Sequence, residues 1–250
     1  MRWINKPASS PASITDYIRA QSNVGHGLDY KTFAGTITPG GCTRGKQLCD
    51  ELTNQQFGLC AYTGAGIDSR LGTLTDPNKI LKFTAHNEHL KSQSECKNEL
   101  RSSGKTYGCD IGDDMNHQNI VAALLVSGNG RIAKKDLFGA AHRGHARIAI
   151  TPTNKSCENR FVFDEIGNIK AANPSDQDAI DTIDVLRLDH PTLTGWRKIA
   201  IETFLEGITT KEDAELIIEA INTPKGTQLP EYSFVIQQVI QSLMIKQNAS

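Results

Sequence analysis

The sequence predicts an α+β protein, helical at both ends around a β-containing middle, and three observations predict it. Apolar residues recur at spacings of three and four after residue 174. A continuous apolar run, Ile120 to Val126, has the length of a buried strand, and Phe161 to Ile169 alternates ahead of a turn at Gly167-Asn168. The chain has 250 residues, 38% hydrophobic and 22% charged, a balance that excludes collagen-like and disordered chains and allows a sizeable core. No apolar run approaches the roughly 18 residues of a membrane helix. The opening Met1-Arg2-Trp3-Ile4-Asn5-Lys6-Pro7 has no secretory apolar stretch, so a cytoplasmic protein is expected, with no membrane partner.

In chain order, a short helix is expected over Ser13 to Gln21, with Ser13 as cap and Asp16 three residues on. A second runs from Thr43 to about Phe57, where Leu48, Cys49 and Leu52 share a face and Gly58 marks the stop. From Cys60 to Phe163 polar side chains interrupt every candidate element, the composition of loops that carry sites. Beyond Asn173-Pro174, Ile180, Ile183 and Leu186 form one helical stripe, and Leu193, Trp196, Ala200 and Phe204 another. Thr210-x-x-Asp213 has the form of a capping box ahead of Ala214, Ile217, Ile218 and Ile221. A last helix is expected from near Pro230, with Val235, Ile236, Val239, Ile240, Leu243 and Met244 on one side. These stripes read as core, with the last helix also a candidate docking face. The divisions are 1–57, 58–170 and 171–250: an N-terminal helical segment, a core and a C-terminal helical region.

Net charge is −1, but residues 1–150 hold 18 basic side chains against 13 acidic, and residues 151–250 hold 9 against 15. Such a split suits one polyanion-facing part and one solvated or partner-facing part. Six cysteines (42, 49, 60, 96, 109 and 157) form no C-x-x-C pair, so free thiols are expected.

Five of the seven histidines lie in the polar middle, and three pieces there hold candidate chemistry. In Ala85-His86-Asn87-Glu88-His89-Leu90-Lys91-Ser92, Glu88 and His89 would face opposite sides of a regular strand but could share a site at a strand end or bend. A carboxylate on a divalent metal beside an imidazole that deprotonates water suits phosphodiester hydrolysis. In Asp113-Asp114-Met115-Asn116-His117-Gln118-Asn119, the final amide is placed to cap backbone or orient an imidazole, and the two aspartates read as exposed turn carboxylates. Arg131 to Arg147 gathers Arg131, Lys134, Lys135, Arg143 and Arg147 with His142 and His145 against Asp136 alone, either a phosphate-contact surface or a solvated basic stretch.

In order and spacing these pieces resemble an HNH, or ββα-metal, endonuclease, and more closely the PtuB-like HNH proteins of bacterial Septu and retron anti-phage systems. The resemblance covers most of the chain. Met1-Arg2-x-Ile4-x-Lys6 resembles the family's opening, Leu59-Cys60-Ala61-Tyr62 its L-C-x-Y entry, and Glu88-His89-Leu90-Lys91-Ser92 its E-H core. Asn119 to Leu124 resembles the N-L-L strand, and Cys157-Glu158-x-x-Phe161-x-Phe163-x-x-x-Gly167-x-Ile169 the following hairpin. Asp181-Thr182-Ile183-x-x-Leu186-x-Leu188, with Leu193 and Arg197, resembles its helical signature.

The resemblance implies a ββα-metal core within 58–170 and metal-dependent cleavage of nucleic acid, DNA of an invader ahead of RNA. It implies His89 as general base, Asn119 orienting its imidazole, and Glu88 and His142 as metal ligands, with His145 the runner-up for the latter and His86 a further candidate. Lys91, Lys134, Lys135, Arg143 and Arg147 would contact nucleic acid. Mg²⁺ is the expected cation, with Mn²⁺ a substitute, and a PtuA-like ATPase the expected partner. Relatives often bind structural zinc through two cysteine pairs. Here Cys60 stands with Thr63, Gly128 and Gly139 at the other three places, so no structural zinc is expected. A tRNA-cutting nuclease and a degenerate nuclease fold that binds nucleic acid or scaffolds a complex remain the alternatives.

Overall fold

The computed structural model describes residues 1–21, 27–76, 79–128 and 132–248. Its N-terminal part carries α1 (Ala12–Gln21), α2 (Tyr30–Gly35) and α3 (Arg44–Gln55). Thr43 caps α3 by accepting the Lys46 N–H at 3.2 Å, and Leu48, Cys49, Leu52 and Thr53 form its buried face. The helix stops where Phe57 and Gly58 turn left-handed, at φ of 55° and 77°. Ser13 is not a cap: it sits inside α1, fully buried, and its hydroxyl donates to Glu51 Oε2 of α3 at 2.5 Å.

The middle contains α4 (Ile67–Arg70), β1 (Gly72–Asp76), β2 (Lys79–His89), α5 (Gln93–Ser102), β3 (Ile120–Gly128) and α6 (Ala140–Arg143). The three strands form one antiparallel sheet in the order β1-β2-β3. The apolar run of β3 is continuous because Ile120 to Leu124 are all buried, with structure on both faces. Register pairs Glu88 with Val121 and His89 with Ile120, so the end of β2 meets the start of β3. β2 extends 11 residues through a segment whose polar side chains hid it, and α5 begins on a capping box formed by Ser92 and Glu95. Arg131 lies outside the described residues.

Next come β4 (Phe161–Phe163) and β5 (Ile169–Ala171), the expected hairpin. Gly167 at its turn has φ +81°, and a Cβ there would stand 2.5 Å from the Thr194 carbonyl, so the hairpin tip lies directly on the following helical region. That region is α7 (Gln177–Leu186), α8 (Pro191–Leu205), α9 (Lys211–Asn222) and α10 (Ser233–Asn248). The stripe on α7 differs from expectation: Ala179, Thr182 and Leu186 are buried while Ile180 is exposed. The Thr210–Asp213 capping box starts α9, and Val235, Ile236, Val239 and Ile240 bury one side of α10, which starts three residues after Pro230. One apolar core runs through all three sequence segments, from Met1 through β3 to Ile240. Among the described residues no helix is long and apolar enough to cross a membrane.

Candidate active site at the end of strand β2

Strand β2 stays regular through His89, and the chain bends just beyond it at Leu90 and Lys91. Alternation sends the Glu88 side chain toward Arg143 and the His89 ring toward Tyr30, and residues 86–89 border one cleft, about 450 Å³, with Gln93 and His145. A guanidinium holds this strand end. Arg143, at the end of α6, has its side chain only 2% exposed and runs beneath this strand end. It donates to Glu88 Oε1 at 2.5 Å, Tyr62 Oη at 2.8 Å, the carbonyls of His89 and Leu90 at 2.7 and 2.5 Å, and its own loop at Ala146 O, 2.8 Å. A planar fork of donors fits this set of acceptors, which an ammonium could not span.

The His89 ring is buried, yet its two nitrogens differ. Nε2 lies 2.9 Å from the Asp114 carbonyl, an atom that can only accept, so Nε2 carries the proton. Nδ1 is left with its lone pair, 3.5 Å from the Gln93 amide on the cleft wall. The edge of the Tyr30 ring meets the imidazole at 4.4 Å and 86°. Burial pushes the His89 pKa below its ordinary value, and the bond to Asp114, with the nearby carboxylates Asp114 and Glu88, opposes that shift without cancelling it. That direction favours the neutral imidazole over the imidazolium.

Asn119, at the start of β3, reaches His89 through the backbone and not through its ring. It accepts the Lys91 N–H at 2.7 Å and donates to the carbonyls of Lys91 at 3.0 Å and Asp113 at 3.1 Å, tying the segment after His89 to the loop that carries its acceptor. Asp113 is exposed and paired with Lys91 as a turn carboxylate, but Asp114 is fully buried, contrary to expectation. His86 stands on the cleft wall with Nε2 3.5 Å from Glu88 Oε2, and His145 is exposed opposite.

Other expected roles are displaced. His142 turns to α7, where its Nδ1 meets the Val185 carbonyl at 2.9 Å, so His145 and not His142 lines the cleft. Arg143 is buried in its ion pair and unable to reach nucleic acid. Lys91 is held by Glu99 and Asp113, and exposed Arg147 by Glu95. Lys134 and Lys135 are exposed in a short 3-10 turn, which fits a solvated basic stretch as well as a phosphate-contact surface.

The expected pair of metal ligands does not fit a divalent cation in this arrangement. One Glu88 oxygen is occupied by Arg143, whose charge cancels that of the carboxylate, and His142 faces elsewhere. Among the described residues no group of three or more His, Cys, Asp or Glu side chains is arranged to hold a metal ion. Cys60 is buried and its Sγ accepts the Leu124 N–H at 3.2 Å.

Sequence reasoning passed over Tyr30 and Arg143 as structural parts and read Asp114 as exposed. Neither for Tyr30 nor for the burial of Asp114 does the sequence offer a signal. No protein-family model matches this sequence, and no curated protein matches it either.

Proposed function

We propose that the chain is a nuclease of the HNH type, hydrolysing phosphodiester bonds of nucleic acid with His89 as general base. The observation that carries this reading is the tautomer of His89: Nε2–H is committed to the Asp114 carbonyl, and the Nδ1 lone pair is left beside the cleft. A neutral imidazole so placed takes a proton from water as the water attacks phosphorus, a contribution on the order of 10²–10⁴ in rate. Further support comes from the order of parts, in which two antiparallel strands meeting at Glu88, His89 and Asn119 are followed by a short helix, as in a ββα core. His86 and His145 on the walls, when protonated, are suited to donate to phosphate oxygens, and Lys134 and Lys135 to contact the backbone. Invading DNA is the preferred substrate and RNA the alternative. Dependence on Mg²⁺ or Mn²⁺ comes from the family resemblance, and no step here runs through a metal. A PtuA-like ATPase is the proposed partner, suited to the acidic C-terminal region, where Ile199 and Leu216 remain exposed.

A second reading has a specific observation in its favour. The Arg143–Glu88 pair occupies the carboxylate a catalytic cation would need, which favours a nuclease fold that binds nucleic acid or scaffolds a complex without cutting. Incubating wild type and His89→Ala with plasmid DNA and with total RNA, in Mg²⁺, Mn²⁺ or EDTA, separates the two. Cleavage by wild type and its loss in folded His89→Ala is the expected result. Equal cleavage by both proteins would remove His89 from the chemistry, and no cleavage under any condition would leave the scaffold reading.

A further inference from the structure

We infer that Asp114 is a positioning residue for the His89 imidazole, acting through two separate groups of the one residue. Its carbonyl accepts from His89 Nε2 at 2.9 Å. Its carboxylate is fully buried, and Oδ2 accepts the Tyr30 N–H and the Tyr107 O–H, both at 3.0 Å. A carbonyl in a polar loop is ordinarily free to tilt with its peptide. Here the side chain of the same residue is tied to α2 and to Tyr107, while the preceding carbonyl, that of Asp113, is tied to Asn119.

Tyr30 closes the arrangement, since its N–H holds the carboxylate while its ring edge bears on the imidazole. Close packing leaves no room for adjustment: a Cβ at Gly112 would stand 2.9 Å from Asp114 Oδ1, and that oxygen has no hydrogen-bond partner among the described residues. Burying a carboxylate with one oxygen unpaired is unfavourable. A loop that needed only to be folded would be as well served by a small side chain. What the Asp114 side chain adds is a fixed carbonyl for Nε2–H, tied in place through Oδ2 to Tyr30 and Tyr107.

The inference deepens the nuclease reading and rests on it for its catalytic meaning, so its test is spectroscopic first. In ¹⁵N-histidine-labelled protein, long-range ¹H–¹⁵N correlation reports which His89 nitrogen is protonated. Wild type is expected to show the Nε2–H tautomer alone. Asp114→Ala is expected to populate Nδ1–H to a comparable extent, and nucleic-acid cleavage is expected to fall at least tenfold in kcat with KM little changed. Asp114→Asn, whose amide oxygen still accepts from Tyr30, should restore the tautomer and the rate. Should Asp114→Ala not fold, Tyr107→Phe, which removes one of the two donors to the carboxylate, is read in its place and should also populate Nδ1–H.

An unmoved tautomer in folded Asp114→Ala, or in Tyr107→Phe where the alanine variant does not fold, overturns the inference and leaves the nuclease reading intact. If wild type cuts nothing while the tautomer responds as expected, the positioning role stands and the nuclease reading fails.

Discussion

Arg143→Met should be the most destabilising single substitution at the site, and its cost can be worked from the contacts. The variant keeps the apolar stem in place and removes every donor. Glu88, 8% exposed, loses the cation at 2.5 Å, and Tyr62 and the carbonyls of His89, Leu90 and Ala146 each lose a donor. Breaking a buried ion pair by removing one partner costs about 3–5 kcal/mol, most of it the desolvated charge left behind. For a chain of this length each kcal/mol lowers Tm by roughly 2–4 °C, so a fall of about 6–20 °C is expected. Replacing both members, as Glu88→Gln with Arg143→Met, removes the stranded charge. The pair should then be clearly more stable than Arg143→Met alone, short of wild type by the orphaned carbonyls, at about 1 kcal/mol apiece. Thermal and urea unfolding followed by circular dichroism give the four corners of the cycle. A loss below about 1 kcal/mol in Arg143→Met, or a coupling near zero, would refute the view that this guanidinium holds the end of β2.

Asn119→Ala strands the Lys91 N–H and the carbonyls of Lys91 and Asp113, and should cost about 2–4 kcal/mol with cleavage reduced; Asn119→Asp, which keeps the acceptor and loses two donations, should fall between. Unfolding curves of the three proteins check the order, and Asn119→Ala as stable as wild type would sink it. Acid should destabilise the fold partly through His89. Its folded pKa lies below the ordinary 6.5, so between the two values the unfolded chain binds more protons. Its share of stability is therefore full above about pH 6.5 and is lost as pH falls through the folded value. His89→Gln, compared with wild type by urea unfolding at pH 7.5 and pH 5, should show a shallower loss, and parallel losses would count against a buried neutral ring.

Much of the scaffold was legible because local chemistry dictated it. Thr43 and Thr210 cap helices as their spacing requires, and Gly167 turns a hairpin that no side chain at that position could allow against α8. β3 declared itself by five consecutive buried residues. α5 did not, because only Cys96 and Leu100 of its ten residues are buried, too few for a periodic stripe, although its Ser92–Glu95 box was there to be read. The stripe on α7 was misread by one position because Ala179 and Thr182, neither conspicuous, face the core in place of Ile180. In the site, Glu88 and His89 were legible as a pair, and the partner that occupies the Glu88 carboxylate was not, since it is an arginine 55 residues away. Asp114 was hidden for the same reason: nothing in a run of two aspartates says which one a distant tyrosine backbone will bury.

The same guanidinium that anchors the end of β2 also decides what the cleft can attract. A bare buried carboxylate at its floor would repel a phosphodiester, by about 4 kcal/mol for unit charges 4 Å apart at an effective dielectric of 20. Arg143 cancels that charge in place, so the floor is neutral and the remaining polar side chains lining the cleft are three imidazoles, the amides of Asn87 and Gln93, and the Ser92 hydroxyl. A neutral floor admits phosphate without a metal to mask the carboxylate, and it also weakens the site for a metal. The arrangement therefore couples two properties that the family resemblance would treat separately. If cleavage requires a divalent ion, Arg143 must let go of Glu88 when the ion binds, and cation binding should then strengthen in any folded variant that lacks the guanidinium.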